Sequence, residues 1–323
     1  MRNVRGSLLV AILFSGVFLL LALRGIDWQE VWDTARDAQI EFLIAGAAIA
    51  SGVYFLRGLR WRILLSAERW VPARLVFWAT MIGYLGNNFL PARAGELIRS
   101  AALGRRCGIS SSFVLATALT ERVMDVVALL LFGFAAIFLI GSQANELWRA
   151  LPPLLIVAAL GVVAIGASSR LARPARSIWM RAPAPETWRR RGAEIFERFV
   201  TGLSSLHDQR RALSFSGLTG ALWVMDACGT MLAARALNLP LDLFQALLLL
   251  ASLGLASAIP STPGYIGTYQ FVAVTLLPLF GLSRSQAFTF ILIMQASNYA
   301  VVTVWGLLGV WRLAAQPGAP RVE

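Results

Sequence analysis

Residues 112–140 read SFVLATALTERVMDVVALLLFGFAAIFLI. The run is apolar except near its start and exceeds the ~20 residues a helix needs to cross the hydrocarbon core of a bilayer. Three further runs approach or pass that length: residues 7–23, 40–56 and 287–311. Backbone groups in lipid must pair internally, which leaves helices or a closed barrel. Barrel strands show short segments of alternating polarity. These runs are continuous, so they predict helices. Composition points the same way: 58% of the 323 residues are hydrophobic and 14% charged, against roughly 25% charged in a soluble domain. The fold class expected is an all-α polytopic membrane protein with about eight hydrophobic segments.

Arginine placement orders those segments. The chain carries a net charge of +12, and all its basic residues are arginine. In a soluble protein such charge would suggest nucleic acid, but no nucleic-acid-binding module is readable. Arginine instead collects in cytoplasmic loops and meets anionic headgroups there. Residues 24–41 carry Asp27, Glu30, Asp33, Asp37 and Glu41, which suits the outside. Arg57, Arg60, Arg62 and Arg69 follow and suit the inside. The segment at 75–90 is followed by Arg93, Arg99, Arg105 and Arg106, which a full crossing would strand outside. A hairpin that enters and returns removes the conflict and places Asn87, Asn88, Pro91 and Gly95 near its tip. Residues 112–140 cross outward, 154–167 return, and 215–237 cross outward again. The basic stretch 170–211 is then cytoplasmic, and 186–206 within it predict an amphipathic interfacial helix.

A second interrupted segment runs from 243–259 through Pro260-Ser-Thr-Pro-Gly264 to 265–280. Read as a hairpin from the outside, it leaves Arg312 inside. Pro91-Ala-Arg-Ala-Gly95 and Pro260-Ser-Thr-Pro-Gly264 share a spacing. Halves at 1–141 and 150–312 would then form an inverted repeat of the kind whose broken helices meet near the membrane midplane. Chance recurrence of Pro-x-x-x-Gly is the alternative. The domain expected is a single membrane unit over 1–315 with a tail at 316–323. The first apolar run follows Arg2 and Arg5 and lacks a clear cleavage site, so it reads as a retained helix. Both termini are expected in the cytoplasm.

Charged residues inside apolar runs are the candidate site. Each costs roughly 2.5–3.5 kcal/mol at the bilayer centre, so pairing or a wet cavity is expected. Glu121 and Asp125 share a face, with Arg122 beside them. Arg93, Glu96 and Arg99 follow the first break, and the Glu96–Arg99 spacing allows a pair on one helical face. Arginine there could grip a phosphate with two parallel hydrogen bonds. The plainer reading, adopted for Arg99, Arg105 and Arg106, is snorkelling to the interface. Asp226 lines a cavity or relays a proton, or else hydrogen-bonds a neighbouring helix. Around the second break, Pro263, Gly264, Gly267 and Gln270 free backbone groups that could receive phosphate, or else form a tight turn. Trp61, Trp70, Trp78, Trp148, Trp179, Trp188 and Trp311 read as an interfacial belt. With two distant cysteines, Cys107 and Cys228, and one histidine, His207, no metal or cofactor is expected. No nucleophile–base set or phosphate loop is readable, so no catalytic residue is expected.

Four motifs occur in order: Arg57-x-x-Arg60-Trp61-x-x-Leu64-Leu65, Asn87-x-x-Leu90-Pro91-Ala92-Arg93-Ala94-Gly95-Glu96-x-x-Arg99, Glu121-Arg122-x-x-Asp125, and Ile259-Pro260-x-x-Pro263-Gly264-x-x-Gly267. Together they resemble the flippase-like transmembrane domain of lysylphosphatidylglycerol synthases. The resemblance implies an eight-segment domain that moves lipids between leaflets. It implies Arg93, Glu96, Glu121, Arg122, Asp125, Pro263 and Gly264 as site residues. In full-length synthases an aminoacyltransferase domain follows. This sequence stops soon after Arg312, so lysyl-lipid synthesis is not expected of it. The function expected is a lipid translocator of the bacterial cytoplasmic membrane whose partners are membrane lipids. The alternatives are a non-transporting scaffold for a lipid-modifying enzyme and, further off, a polyprenyl-dependent glycosyltransferase using Glu121 and Asp125.

Overall fold

The computed structural model describes residues 2–90, 94–141, 208–257, 259 and 261–315, with isolated positions between 147 and 193; of residues 2–10 it describes the backbone. The expected helix at 154–167, most of the interfacial helix at 186–206, Arg93 and the tail 316–323 lie outside the described residues. The described residues are all-α: α1 (Arg2–Leu23), α2 (Trp28–Arg36), α3 (Ile40–Leu65), α4 (Ala73–Phe89), α5 (Ala94–Cys107), α6 (Ser111–Ile140), α7 (Gln209–Ala236), α8 (Leu243–Ala256), α9 (Thr268–Leu276) and α10 (Arg284–Ala314). Helices α3, α6, α7 and α10 are each long and apolar enough to cross a membrane.

α1 stops at Leu23, and the Asp27 carboxylate caps α2 by accepting from the backbone amides of Gln29 and Glu30. α2 turns 88° from α1 and leaves Trp28 and Trp32 exposed. An amphipathic helix at that angle, with its indoles outward, suits a membrane surface.

The ends of the helices sort by charge. At one end Ser283 Oγ donates to Glu30 at 2.7 Å, Asp27 N donates to Ser285 Oγ at 2.9 Å, and Gln39 reaches Asn238 at 2.8 Å. This end carries the acidic residues of the α1–α3 connection. At the other end Arg69 donates to the Cys107 carbonyl at 2.7 Å, and Arg106 donates to the Leu313 carbonyl. The Arg69 bond ties the connection that leads into α4 to the end of α5. The two helices are therefore a hairpin that opens on the arginine-rich end, as the charge pattern predicts. Its arms pack closely because Gly95 has no side chain: a Cβ there would lie 1.8 Å from the Gly83 carbonyl oxygen.

The second hairpin, α8–α9, opens on the opposite end. Asp242 caps α8 by accepting from Gln245 N at 2.8 Å, with the Gln245 side chain returning to Asp242 N. α9 runs back through a short turn at Leu277–Phe280 to Ser283, which caps α10. Its tip runs through three residues at positive φ: Gly264 at 77°, Gly267 at 87°, and Tyr265, with a side chain, at 60°. The Ser15 hydroxyl of α1 accepts from Thr262 N at 2.8 Å and pins this tip.

Fully buried Leu222, Ala246, Leu249, Ala273 and Ile291 centre the largest apolar core, while Trp61, Leu64, Leu65, Val76 and Leu103 form a second one near the arginine-rich end. Leu13, Leu20, Ile44, Phe138 and Leu307 are exposed. In a bilayer such residues face a solvent as apolar as themselves, and helix association rests on packing and polar contacts instead.

Candidate functional site

Four helices contribute eight charged side chains that alternate in sign. α3 supplies Arg57 and Arg60 on one face, α5 Glu96 and Arg99, α6 Glu121, Arg122 and Asp125, and α7 Asp226. The order is Asp226–Arg57–Asp125–Arg60–Glu121–Arg99–Glu96–Arg122. Arg57 lies 3.2 Å from Asp226 and 4.0 Å from Asp125. Arg60 grips Asp125 with both terminal nitrogens, at 2.6 and 3.0 Å, and reaches Glu121 at 3.0 Å. Arg99 joins Glu121 at 3.1 Å to Glu96 at 2.6 Å. Arg122 closes the series on Glu96 at 2.7 Å.

Alternation makes the whole set neutral, with four arginines against four carboxylates. This matters because an isolated ion at such depth carries a desolvation cost of several kcal/mol. Aromatic rings complete the casing: Trp223 against Arg57, Phe215 against Arg60, Trp61 against Arg99 and Tyr84 against Arg122, at 5.0, 5.1, 4.3 and 5.9 Å. Guanidinium groups prefer such π faces.

Accessibility rises toward both termini of the series. The side chains of Arg60, Glu121 and Arg99 are 0–3% exposed, those of Asp226 and Arg122 30% and 33%. Both termini border a cavity of about 300 Å³. Arg57, Asp125, Asn87 and Asn88 line it from one side, Gly264, Tyr265, Gln295 and Tyr299 from the other, and Leu43, Val53, Leu250 and Leu253 extend its wall in apolar form. The tips of both hairpins therefore face one chamber.

Of the residues expected from sequence, Asn87, Glu96, Glu121, Arg122 and Asp125 come together: Asn87 Nδ2 donates to Glu96 at 3.3 Å. Gly264 faces the same chamber. Pro263 opens the turn that presents it. Gln270 stands behind the wall, 2% exposed, accepting from Gly267 N at 2.6 Å and donating to Gln295 at 2.7 Å. The Gly264 carbonyl accepts from Gln295 and Tyr299. These internal bonds occupy groups that the sequence reading left open for phosphate, and they make Gln270 a brace. Arg93 lies outside the described residues.

Three readings change. Arg99 does not snorkel: it is 2% exposed, because Glu96 and Glu121 hold it over Trp61. Arg57 and Arg60, counted above with the cytoplasmic arginines, face inward to carboxylates of α6 and α7. Trp61 is fully buried and donates to Thr117 at 3.1 Å, so it is no part of an interfacial belt. The i,i+3 spacing of Arg57 and Arg60, set against Glu121 and Asp125 at i,i+4, was the available signal.

The family profile for the lysylphosphatidylglycerol synthase TM region matches residues 8–306. A glycosyltransferase, AglD, of Haloferax volcanii is 26% identical over 94% of this chain and 54% of its own length, so the chain spans about half of that relative. Two UPF0104 membrane proteins of Methanothermobacter thermautotrophicus are 24% and 21% identical, over 91% and 95% of this chain and 91% and 93% of their own lengths. No solved structure matches.

Proposed function

The chain belongs to the lysylphosphatidylglycerol synthase TM region family, and on that premise we propose that it moves a polar-headgroup lipid between the leaflets of the bacterial cytoplasmic membrane. One observation carries this reading: two hairpins entering from opposite ends place their tips on one chamber that has charge on its floor and apolar walls. A headgroup crossing lipid loses its water, and fixed ions and amides in the chamber replace that hydration. Arg122 is the natural anion contact. It has one carboxylate partner, is the most accessible arginine of the series, and can turn its guanidinium from Glu96 to a phosphate. The acyl tails stay in the bilayer beside the apolar wall.

The experiment is transport by the purified chain in vesicles with a fluorescent headgroup-labelled lipid, quenched from outside. Arg122→Gln is expected to slow transport by about tenfold or more, the effect of losing a charge-assisted contact, while the thermal unfolding midpoint stays near that of the wild type. Unchanged transport would remove Arg122 from the path.

A second reading takes its support from the relative named a glycosyltransferase, whose length extends beyond the matched region. In it this chain is a scaffold or partner of a lipid-modifying enzyme and moves nothing alone. Absence of transport by the purified chain, with transport or modification restored by a co-purifying enzyme, would favour it. A catalytic role for Glu121 and Asp125 themselves has less support, since each carboxylate is shared between two arginines.

A further inference from the structure

The chain has five tyrosines, and all five (Tyr54, Tyr84, Tyr265, Tyr269 and Tyr299) line this one chamber. Two of them form a platform: Tyr265 and Tyr269 stack with ring centroids 4.8 Å apart and planes 8° from parallel. Tyr265 holds that place at a positive φ, an uncommon conformation for a residue with a side chain. Two others have committed their hydroxyls to the fold: Tyr54 donates to Asn298 at 2.6 Å, and Tyr299 donates to the Gly264 carbonyl. Their rings are thereby fixed.

Polar groups of opposite type line the same chamber. Asn88 Nδ2, on the tip of the first hairpin, is buried and has no hydrogen-bond partner among the described residues. It is a donor. Asp226 keeps Arg57 on one carboxylate oxygen and, at one exposed end of the charge series, lines the chamber. It is an acceptor. The charged groups that line the chamber, Arg57, Arg122, Asp125 and Asp226, sum to zero.

Three headgroup chemistries can be weighed against this lining. A bare phosphate satisfies Asn88 and Arg122 but meets repulsion from Asp226. A quaternary or primary ammonium satisfies Asp226 and the aromatic faces but accepts nothing from Asn88 Nδ2. A hydroxyl both donates and accepts, and a polyhydroxylated ring adds a flat C–H face for the stacked tyrosines. We infer that the chamber recognises a polyhydroxylated ring headgroup, a sugar or cyclitol, laid on the outer face of the Tyr265–Tyr269 stack and hydrogen-bonded between Asn88 and Asp226. This rests on the reading that a lipid headgroup enters the chamber.

The test measures lipids retained by the purified protein in native mass spectra. Each of four probes is offered in phosphatidylethanolamine nanodiscs: phosphatidylinositol, glucosyl-diacylglycerol, phosphatidic acid and phosphatidylcholine. Retention of phosphatidylinositol, glucosyl-diacylglycerol or both above the other two is expected. Retention of both identifies the ring as sufficient, whereas retention of phosphatidylinositol alone adds the phosphate at Arg122. Asn88→Ala removes an amide nitrogen with no partner among the described residues, so it leaves no new orphan among them. It should weaken retention of the ring lipids about threefold to tenfold, the worth of one hydrogen bond. Tyr265→Leu, which removes the platform, should do the same.

Phosphatidic acid retained as well as phosphatidylinositol would overturn the inference in favour of simple phosphate binding. Phosphatidylcholine preferred would overturn it in favour of a cation cage. Transport of labelled lipid, measured on the same preparations, separates the two readings. Ring preference without transport leaves this inference standing and removes the translocator; transport without ring preference does the reverse.

Discussion

Position in the charge series decides what each residue contributes. Arg60 is fully buried, bridges Asp125 and Glu121, and also donates to Thr219 at 3.3 Å. Arg60→Met leaves two carboxylates short of a partner. The expected loss of stability is about 3–5 kcal/mol, the usual cost of breaking a buried pair from one side. Thermal unfolding in detergent measures it, and a midpoint like that of the wild type would mean that water already reaches this part of the series. Arg122 sits at a terminus with one partner and a third of its side chain exposed, so its removal acts on the ligand more than on the fold. Sequence showed some of this. Glu121 and Asp125 were legible because their spacing sets them on one helix face, and Glu96 because it follows the first break. Arg57, Arg60 and Arg99 were misread because an arginine near a helix end carries the same letter whether it snorkels or turns inward. Only the carboxylates brought opposite it by another helix decide.

At the scale of elements, the two hairpins were legible from charge bookkeeping alone, since a full crossing by either would have placed arginines on the wrong side. What charge could not show is how the arms fit. Gly95 against Gly83 and Ser15 against Thr262 are contacts between segments, and each depends on where the neighbouring backbone lies. Side-specific labelling tests the first hairpin directly. With Cys107 and Cys228 replaced, Glu68→Cys and Arg105→Cys should react from the same side of a sealed vesicle, and Asp33→Cys from the other. All three positions are exposed. Reaction of Arg105→Cys from the side of Asp33→Cys would make α4 or α5 a full crossing.

Across the whole molecule, the tyrosines show where reading a sequence stops. Tyr54, Tyr84, Tyr265, Tyr269 and Tyr299 are scattered over four helices and a turn, and no one periodicity links them all. Their convergence is a property of the assembled bundle: α3 and α10 bring Tyr54 to Asn298, α4 carries Tyr84, and the strained tip of the second hairpin brings the last pair. A sequence that spends every tyrosine on one chamber, while its lipid-facing surfaces use leucine, valine and phenylalanine, concentrates its amphipathic rings where an apolar body and a polar tip are both of use.

The alternating series of ions also obeys a rule of parity. Counted from Asp226, it can be cut without leaving net charge only where an even number of members stands on each side. Replacing Asp125 and Arg60 together by leucine and methionine leaves Asp226–Arg57 and a four-membered remainder, both neutral. Replacing Arg60 and Glu121 leaves two triplets, one of charge −1 and the other of charge +1. The two double variants delete one arginine and one carboxylate each, yet the first should unfold at the higher temperature. Equal midpoints would mean that the members act as separate pairs. A ligand that docks on Arg122 adds a ninth member to this count, so the site it meets is one whose balance shifts by a whole charge with each arrival and departure.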